Sequence, residues 1–138
     1  MLMKLGYDIK TQKYNGHEGK LLQAKVDDIA VARIGYLRWN SDEYKFNRLN
    51  NARLKLVDSC TDIEVDKSMV EKGIALFLFE ILFEHLWREN FDTLIITQLG
   101  PKRKFYNENL GMMRDCGKIT SWYFTISPSL GSVYEVRI

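Results

Sequence analysis

The sequence predicts one α/β or α+β domain, with a mixed β-sheet and two helices in its second half. Three observations predict this class. Residues 1–65 run mainly as β-branched and aromatic stretches separated by turn signals, which is typical of strands. Between residues 70 and 90, apolar residues recur every three or four positions, as on a buried helical face. Short β-branched runs then return, so we expect a β-α-β unit whose two strands are parallel and joined by a right-handed crossover.

The N-terminal half is predicted to hold four strands, at residues 5–14, 21–26, 29–39 and 54–65. Asn15-Gly16 is a turn signal after the first strand, and Asp27-Asp28 separates two runs that read as a hairpin. A polar, asparagine-rich loop is expected at residues 40–51. The second half of the fourth strand is polar, which is typical of a strand end that faces a site and equally of an exposed edge strand.

The C-terminal half is predicted to contain a helix at 70–90, a strand at 91–98, a helix at 101–110, and strands at 119–126 and 133–138. The apolar face of the first helix includes Ile74, Leu78 and Leu82, and its extra aromatic residues suit packing on a sheet or a contact between subunits. Pro101 suits the first position of the second helix.

Length and composition exclude several classes of protein. At roughly 100–200 residues per domain, 138 residues predict a single domain over 1–138. Cys60 and Cys116 do not make a disulfide framework, and His17 and His85 stand outside metal-ligand spacing, so we expect no metal. A formal net charge of +2 disfavours a dedicated nucleic-acid binder.

No targeting or membrane segment is predicted. The N-terminal residues have no apolar stretch long enough for a signal peptide. The most apolar window, residues 74–87, contains three ionisable residues and is shorter than the ~20 residues that span a bilayer. A soluble, cytoplasmic protein is therefore expected.

The junction between the fourth strand and the first helix is the most informative stretch, Val65-Asp-Lys-Ser-Met-Val-Glu-Lys-Gly-Ile-Ala75. The first-turn N–H groups of a helix have no intrahelical partners, and together with the helix dipole they suit a phosphate or pyrophosphate. Gly73 would let the backbone approach such an anion closely. One glycine at a helix start is common, so these residues alone also fit an ordinary connecting loop.

This junction resembles the segment V-D-P-E-Y-R-G-K-G-I-G/A of the GNAT superfamily of N-acetyltransferases. A second segment, Phe105-Tyr-Asn-Glu-Asn-Leu-Gly-Met112, is similar to the family's F-Y-E-K-L-G-F and lies in the second predicted helix. The resemblance covers roughly residues 20–138. It implies a GNAT-like mixed, centrally splayed sheet, with a long helix after strand four and a second helix after strand five.

The resemblance implies an acyl-CoA-dependent N-acyltransferase, in which an amine attacks acetyl-CoA or another acyl-CoA directly. The family's cofactor contacts correspond to Ile63 and Val65 for the pantetheine arm, and to Val70, Glu71, Lys72, Gly73, Ile74 and Ala75 for the pyrophosphate. Tyr106 corresponds to the tyrosine that protonates the departing thiolate, although a core aromatic would look the same. Glu64 is the candidate general base, through a water, or else a solvated carboxylate on the strand face.

Two departures from the family pattern support an alternative. Val70 replaces the usual Arg or Gln, and Glu71 places a carboxylate where a pyrophosphate would bind. The alternative is a catalytically weakened or inactive GNAT-fold module with a binding or regulatory role.

The acceptor side is predicted to be open. The interval at residues 14–21 is too short for the two helices that wall the acceptor pocket in the family, so these are reduced or missing. An open groove suits a macromolecular acceptor, or a wall supplied by a second copy in a homodimer. The cluster Lys102-Arg103-Lys104 could meet the 3′-phosphate of the cofactor or a nucleic acid, or form a solvated face; the low net charge makes nucleic acid the weaker choice.

Overall fold

A computed structural model describes residues 4–14, 16–39, 56–58, 64–65, 73–97, 99–127 and 131–138. The strands are β1 (Leu5–Tyr14), β2 (His17–Val26), β3 (Ile29–Trp39), β4 (Leu56–Asp58), β5 (Glu64–Val65), β6 (Thr93–Ile96), β7 (Ser121–Ser127) and β8 (Gly131–Arg137). The helices are α1 (Ile74–Arg88) and α2 (Arg103–Asp115). The predicted element order is confirmed, with β4 and β5 together representing the predicted fourth strand.

Strands β1, β2 and β3 form two consecutive antiparallel hairpins. Asp27 and Asp28 join β2 to β3, and both have positive φ (50° and 67°), as a two-residue type I′ turn requires. β2 begins at His17, four residues before its predicted start, because its pairing with β1 continues to the turn. Only two residues separate β1 from β2, which confirms that the two acceptor helices of the GNAT pattern are missing between these strands.

α1 lies within its predicted range of 70–90, whereas α2 differs from its predicted range of 101–110 at both ends. A 3₁₀ turn at Gly100–Lys102 holds Pro101, and α2 proper begins at Arg103. α2 continues to Asp115, five residues beyond its predicted end, because its apolar spacing extends through Tyr106, Leu110 and Met113, all buried.

All eight strands form a single mixed sheet. Its order is β1-β2-β3-β4-β6-β8-β7, and β5 pairs with β3 beside this path. β4 and β6 are parallel, which confirms the predicted β-α-β unit, and the remaining ladders are antiparallel. The predicted fold class, a mixed sheet with a long helix after strand four and a second after strand five, is therefore confirmed.

Both helices contribute to a hydrophobic core on one face of the sheet. The fully buried residues Leu78, Leu82 and Leu86 lie on α1, three or four residues apart. They share the core with Ile34 of β3 and with Leu94 of β6. Tyr106, Leu110 and Met113 add the buried stripe of α2 to the same core.

β4 and β5, the two described parts of the predicted fourth strand, have different partners. The parallel ladder between β4 and β6 stops at the pair Asp58 and Ile95. β5 pairs with Ala32 and Arg33 of β3, and within the described ranges it has no ladder to β6. Leu37 pairs with Asp58, and Arg33 pairs with Glu64. The two β3 residues are four apart and their partners are six apart, so the register against β3 shifts by two residues between β4 and β5. Among the described strands β5 therefore pairs with β3 alone, as expected for the predicted centrally splayed sheet.

Within the described ranges, no helix is both long enough and apolar enough to cross a lipid bilayer.

Candidate functional site

The N-terminus of α1 follows β5 along the chain. Gly73 is the N-cap residue of α1 and has a left-handed backbone conformation (φ 73°). Because glycine has no side chain, no side-chain hydrogen bond caps the helix at this position. No described atom beyond the neighbouring residues lies within 4 Å of where a Cβ on Gly73 would stand, so the positive φ, rather than crowding, requires glycine here. The Phe77 N–H donates to the Gly73 carbonyl at 3.0 Å.

The first turn of α1 is electrostatically suited to an anion. The N–H groups that precede Phe77 have no intrahelical acceptor, and the first turn holds no acidic residue. Ile74 is buried in the core, whereas Ala75 is half-buried. The backbone at this end of the helix could therefore hold a pyrophosphate.

Some of the predicted contact residues can be placed in the fold and others cannot. Gly73, Ile74 and Ala75 lie together at the start of α1, and the backbone of Glu64 and Val65 pairs with β3. The predicted contacts Ile63, Val70, Glu71 and Lys72 lie outside the described residues, as do Cys60 and the predicted loop at 40–51.

Tyr106 lies in the interface between the two helices. It is 4% exposed, and its ring meets Phe79 of α1 edge-on at 6.2 Å between centroids. A second edge contact, at 5.7 Å, joins it to Phe105. These contacts are those of a core aromatic, and they hold the phenol on the helix-covered face of the sheet.

Two polar side chains on β8 were missed by sequence reasoning. The Tyr134 hydroxyl and both carboxylate oxygens of Glu135 are buried and have no hydrogen-bond partner in the described part of the chain. Tyr134 belongs to the core beneath the helices, so Glu135, its neighbour along the strand, lies on the opposite face. In the sequence, the only sign of this pair is a glutamate within the otherwise apolar stretch Val133 to Val136. A glutamate in such a strand ordinarily faces solvent, so the sequence did not predict that Glu135 is buried.

The basic cluster at the start of α2 has local partners. The Arg103 guanidinium lies 4.1 Å from the centre of the Phe124 ring on β7. Lys104 lies 3.9 Å from Glu108, one turn along the helix, and both side chains are well exposed. An anion-binding role for Lys102, Arg103 and Lys104 stays a prediction.

No family model matches the chain, and no curated protein matches it by sequence. Solved structures do match. Diaminobutyrate acetyltransferase EctA from Paenibacillus lautus, in complex with L-2,4-diaminobutyric acid and coenzyme A, superposes with a TM-score of 0.56 at 13% identity; the match covers 85% of this chain and 69% of that one. A GNAT family acetyltransferase from Elizabethkingia anophelis with acetyl-CoA bound gives 0.53 at 11%, covering 96% and 97%. The chain has the GNAT fold.

A third match spans almost the whole chain. FeeM, an N-acyl amino acid synthase from uncultured soil microbes, matches with a TM-score of 0.53 at 11% identity, over 97% of this chain and 90% of that one. At such identities the similarity establishes the fold and leaves the activity to be argued from the site. It confirms the fold that the two sequence segments predicted.

Proposed function

We propose that the protein is an acyl-CoA-dependent N-acyltransferase, which moves an acetyl or another acyl group from its CoA thioester to an amine. The observation that carries this proposal is the parallel pairing of β4 with β6, followed along the chain by the anion-suited start of α1. Solved structures with the same fold hold coenzyme A or acetyl-CoA, which supports the same class of co-substrate.

The cofactor contacts are proposed from backbone groups. The amides from Val70 to Ala75 would bind the pyrophosphate, with Gly73 setting the backbone direction at the helix start. The backbone of Ile63 and Val65 would hydrogen-bond the pantetheine arm on the side of β5 away from β3, as an added strand does at an open sheet edge.

The chemical roles are proposed for two side chains. An acyl thioester supplies a carbonyl carbon that an amine can attack, forming a C–N bond as the C–S bond breaks. Tyr106 would give its phenolic proton to the leaving thiolate, and Glu64 would take the proton of the amine through a water. This division suits the fold because the Tyr106 phenol lies under the helices, while Glu64 lies on the strand that borders the splay.

The acceptor side supports an open groove. Because β1 and β2 are joined by a two-residue turn, no helix between them walls the space in which an acceptor would lie. We therefore propose that the acceptor is a macromolecule carrying the amine, or that a second copy of the chain supplies the missing wall of the acceptor site.

Calorimetric titration with coenzyme A and acetyl-CoA tests the proposal. We expect Ala75→Glu to weaken binding about tenfold, because a carboxylate in the first turn of α1 repels the pyrophosphate. Thr120→Glu is the matched control, because Thr120 is exposed and lies away from the start of α1. Its N–H donates to the carbonyl of Arg137, which pairs with Thr93, and Thr93 starts β6 just after the far end of α1. No binding by the wild type at millimolar ligand would refute the enzyme and favour the regulatory or binding module.

Turnover separates the two buried phenols. With acetyl-CoA and 1,5-diaminopentane, we expect Tyr106→Phe to lower kcat on the order of 100-fold while leaving coenzyme A affinity unchanged. Tyr134→Phe is the comparison variant, since it removes a hydroxyl that has no partner in the described part of the chain. A loss of turnover confined to Tyr134→Phe would transfer the proton-donor role to Tyr134.

A further inference from the structure

Glu135 is a buried carboxylate that the fold leaves unpaired. Its residue is 0% exposed, and neither carboxylate oxygen has a hydrogen-bond partner among the residues described. Buried carboxylates are otherwise paired with a cation or held by several donors, because leaving water is costly for an isolated charge. The position of Glu135 therefore points to a group that the described part of the chain does not supply.

Glu135 lies on the face of the sheet opposite the helices, where its neighbours are both apolar and polar. Tyr134 and Val136 belong to the core beneath the helices, which places Glu135 on the other face. Its strand partners are Ile95 of β6 and Tyr123 of β7. Thr93 and Thr97 stand two positions either side of Ile95 along the chain, and both are buried. We call Glu135, Thr93, Ile95 and Thr97 the Glu135 patch.

The Glu135 patch lies next to the end of the ladder between β4 and β6. Ile95 is also the last residue of β6 that pairs with β4, through Asp58. Strands in a sheet lie about 4.8 Å apart, so the Glu135 backbone is one strand from the end of that ladder.

The one cation beside Glu135 on its own strand does not neutralise it. Arg137 stands two residues further along β8 on the same face and is half-buried, yet it makes no hydrogen bond to the Glu135 oxygens. A cationic ligand with several N–H donors would satisfy both oxygens. An alkylammonium group has three donors at the tip of a slender chain, enough for both Glu135 oxygens and one threonine hydroxyl.

We propose that Glu135 binds the ammonium group of the acyl acceptor. This assignment rests on the proposed N-acyltransferase function, and it makes a residue of the last strand the acceptor-binding group. Because Glu135 is fully buried, the acceptor presents its ammonium group on a narrow alkyl chain, as a lysine side chain or a free diamine does.

Binding of 1,5-diaminopentane, measured by calorimetry without any acyl-CoA, tests this proposal. We expect the wild type to bind it and Glu135→Gln to bind it at least tenfold more weakly. The matched control is Glu108→Gln, since Glu108 is an exposed carboxylate on α2 and its loss changes the net charge by the same amount. No binding by the wild type, or equal binding by Glu135→Gln, overturns the proposal.

Stability provides a second, independent readout. A carboxylate kept for a ligand is unfavourable in the empty protein, so Glu135→Gln and the apolar Glu135→Met should unfold at the same temperature as the wild type or higher. A clearly lower midpoint for both variants would assign Glu135 a structural role and overturn the proposal. This comparison needs no ligand.

Two further measurements distinguish a lysine acceptor from a free diamine, and distinguish failure of this proposal from failure of the proposed function. Tighter binding of Nα-acetyl-lysine amide than of 1,5-diaminopentane supports a lysine acceptor, and the reverse supports a free diamine. Glu135→Gln should bind coenzyme A as the wild type does. If the wild type fails to bind coenzyme A, the proposed function falls while the ammonium measurement still decides the role of Glu135.

Discussion

At the scale of the residue, one glycine controls the packing of the first three strands. Gly19 of β2 stands opposite Gln12 of β1 and Leu37 of β3, and a Cβ at Gly19 would overlap the carbonyl oxygen of Tyr36. The Gln12 Nε2 donates to the carbonyl oxygens of Lys20 (3.1 Å) and Tyr36 (3.0 Å). The missing side chain of Gly19 therefore leaves room for a side chain of β1 to reach the backbone of β3.

We expect Gly19→Ala to lower the free energy of unfolding by about 3 kcal/mol, because the overlapping atom is backbone and the strands must shift to admit a methyl group. Urea unfolding followed by circular dichroism measures it. Gly6→Ala is the control: nothing lies within 4 Å of a Cβ there, so the change should stay within about 0.5 kcal/mol. Equal effects at the two glycines would contradict this account.

Single residues also mark where sequence reasoning succeeded and failed. Gly73 was predicted at the start of α1, and it stands there because a positive φ next to a helix start favours glycine. Glu135 could not be predicted, since a charged residue in a strand normally faces water. The catalytic roles of Tyr106 and Glu64 stay predictions.

At the scale of the element, the hairpin between β2 and β3 has the clearest local code. Asp27 and Asp28 both adopt left-handed backbone angles, and the Asp27 carboxylate accepts a hydrogen bond from the Lys4 N–H at 3.0 Å. Aspartate tolerates this region better than most residues but less well than glycine. The turn is therefore formed at some cost in backbone energy.

We expect Asp28→Gly to raise the free energy of unfolding by about 1 kcal/mol, since glycine adopts a φ of 67° without steric strain. Asp28→Ala should lower it, because alanine lacks both the freedom of glycine and the polar side chain of aspartate. Thermal unfolding of the three proteins ranks them. The account fails if alanine stabilises the hairpin as much as glycine does.

At the scale of the whole molecule, a partly buried polar network joins the sheet to the far end of α1. The Tyr36 hydroxyl of β3 lies 3.0 Å from the His85 Nε2 and donates to Glu89 at 3.3 Å. Arg38 of β3 pairs with the same Glu89 carboxylate at 2.9 Å. Burial, and next the nearby Glu89 charge, raise the pKa of the Tyr36 phenol above its ordinary value.

This raised pKa predicts a pH dependence of global stability. Above about pH 10 the unfolded chain loses the Tyr36 proton while the folded chain keeps it. The free energy of unfolding therefore falls as pH rises, by up to about 1.4 kcal/mol per pH unit from this group. Tyr36→Phe should remove this part of the slope, measured by urea unfolding between pH 8 and 11. An identical slope in both proteins would show that Tyr36 ionises equally in the folded and unfolded chains.

The sequence by itself determined the order of the elements, the hairpin at Asp27-Asp28, the parallel pair and the GNAT-like arrangement, because these follow from local periodicity, turn residues and short motifs. Only the tertiary structure decided that β5 pairs with β3 after a register shift of two, and that Glu135 is buried without a hydrogen-bond partner among the described residues. Those features depend on which strands and helices from distant parts of the chain cover each face. Local sequence patterns do not show which distant strands and helices will cover a given face of the sheet.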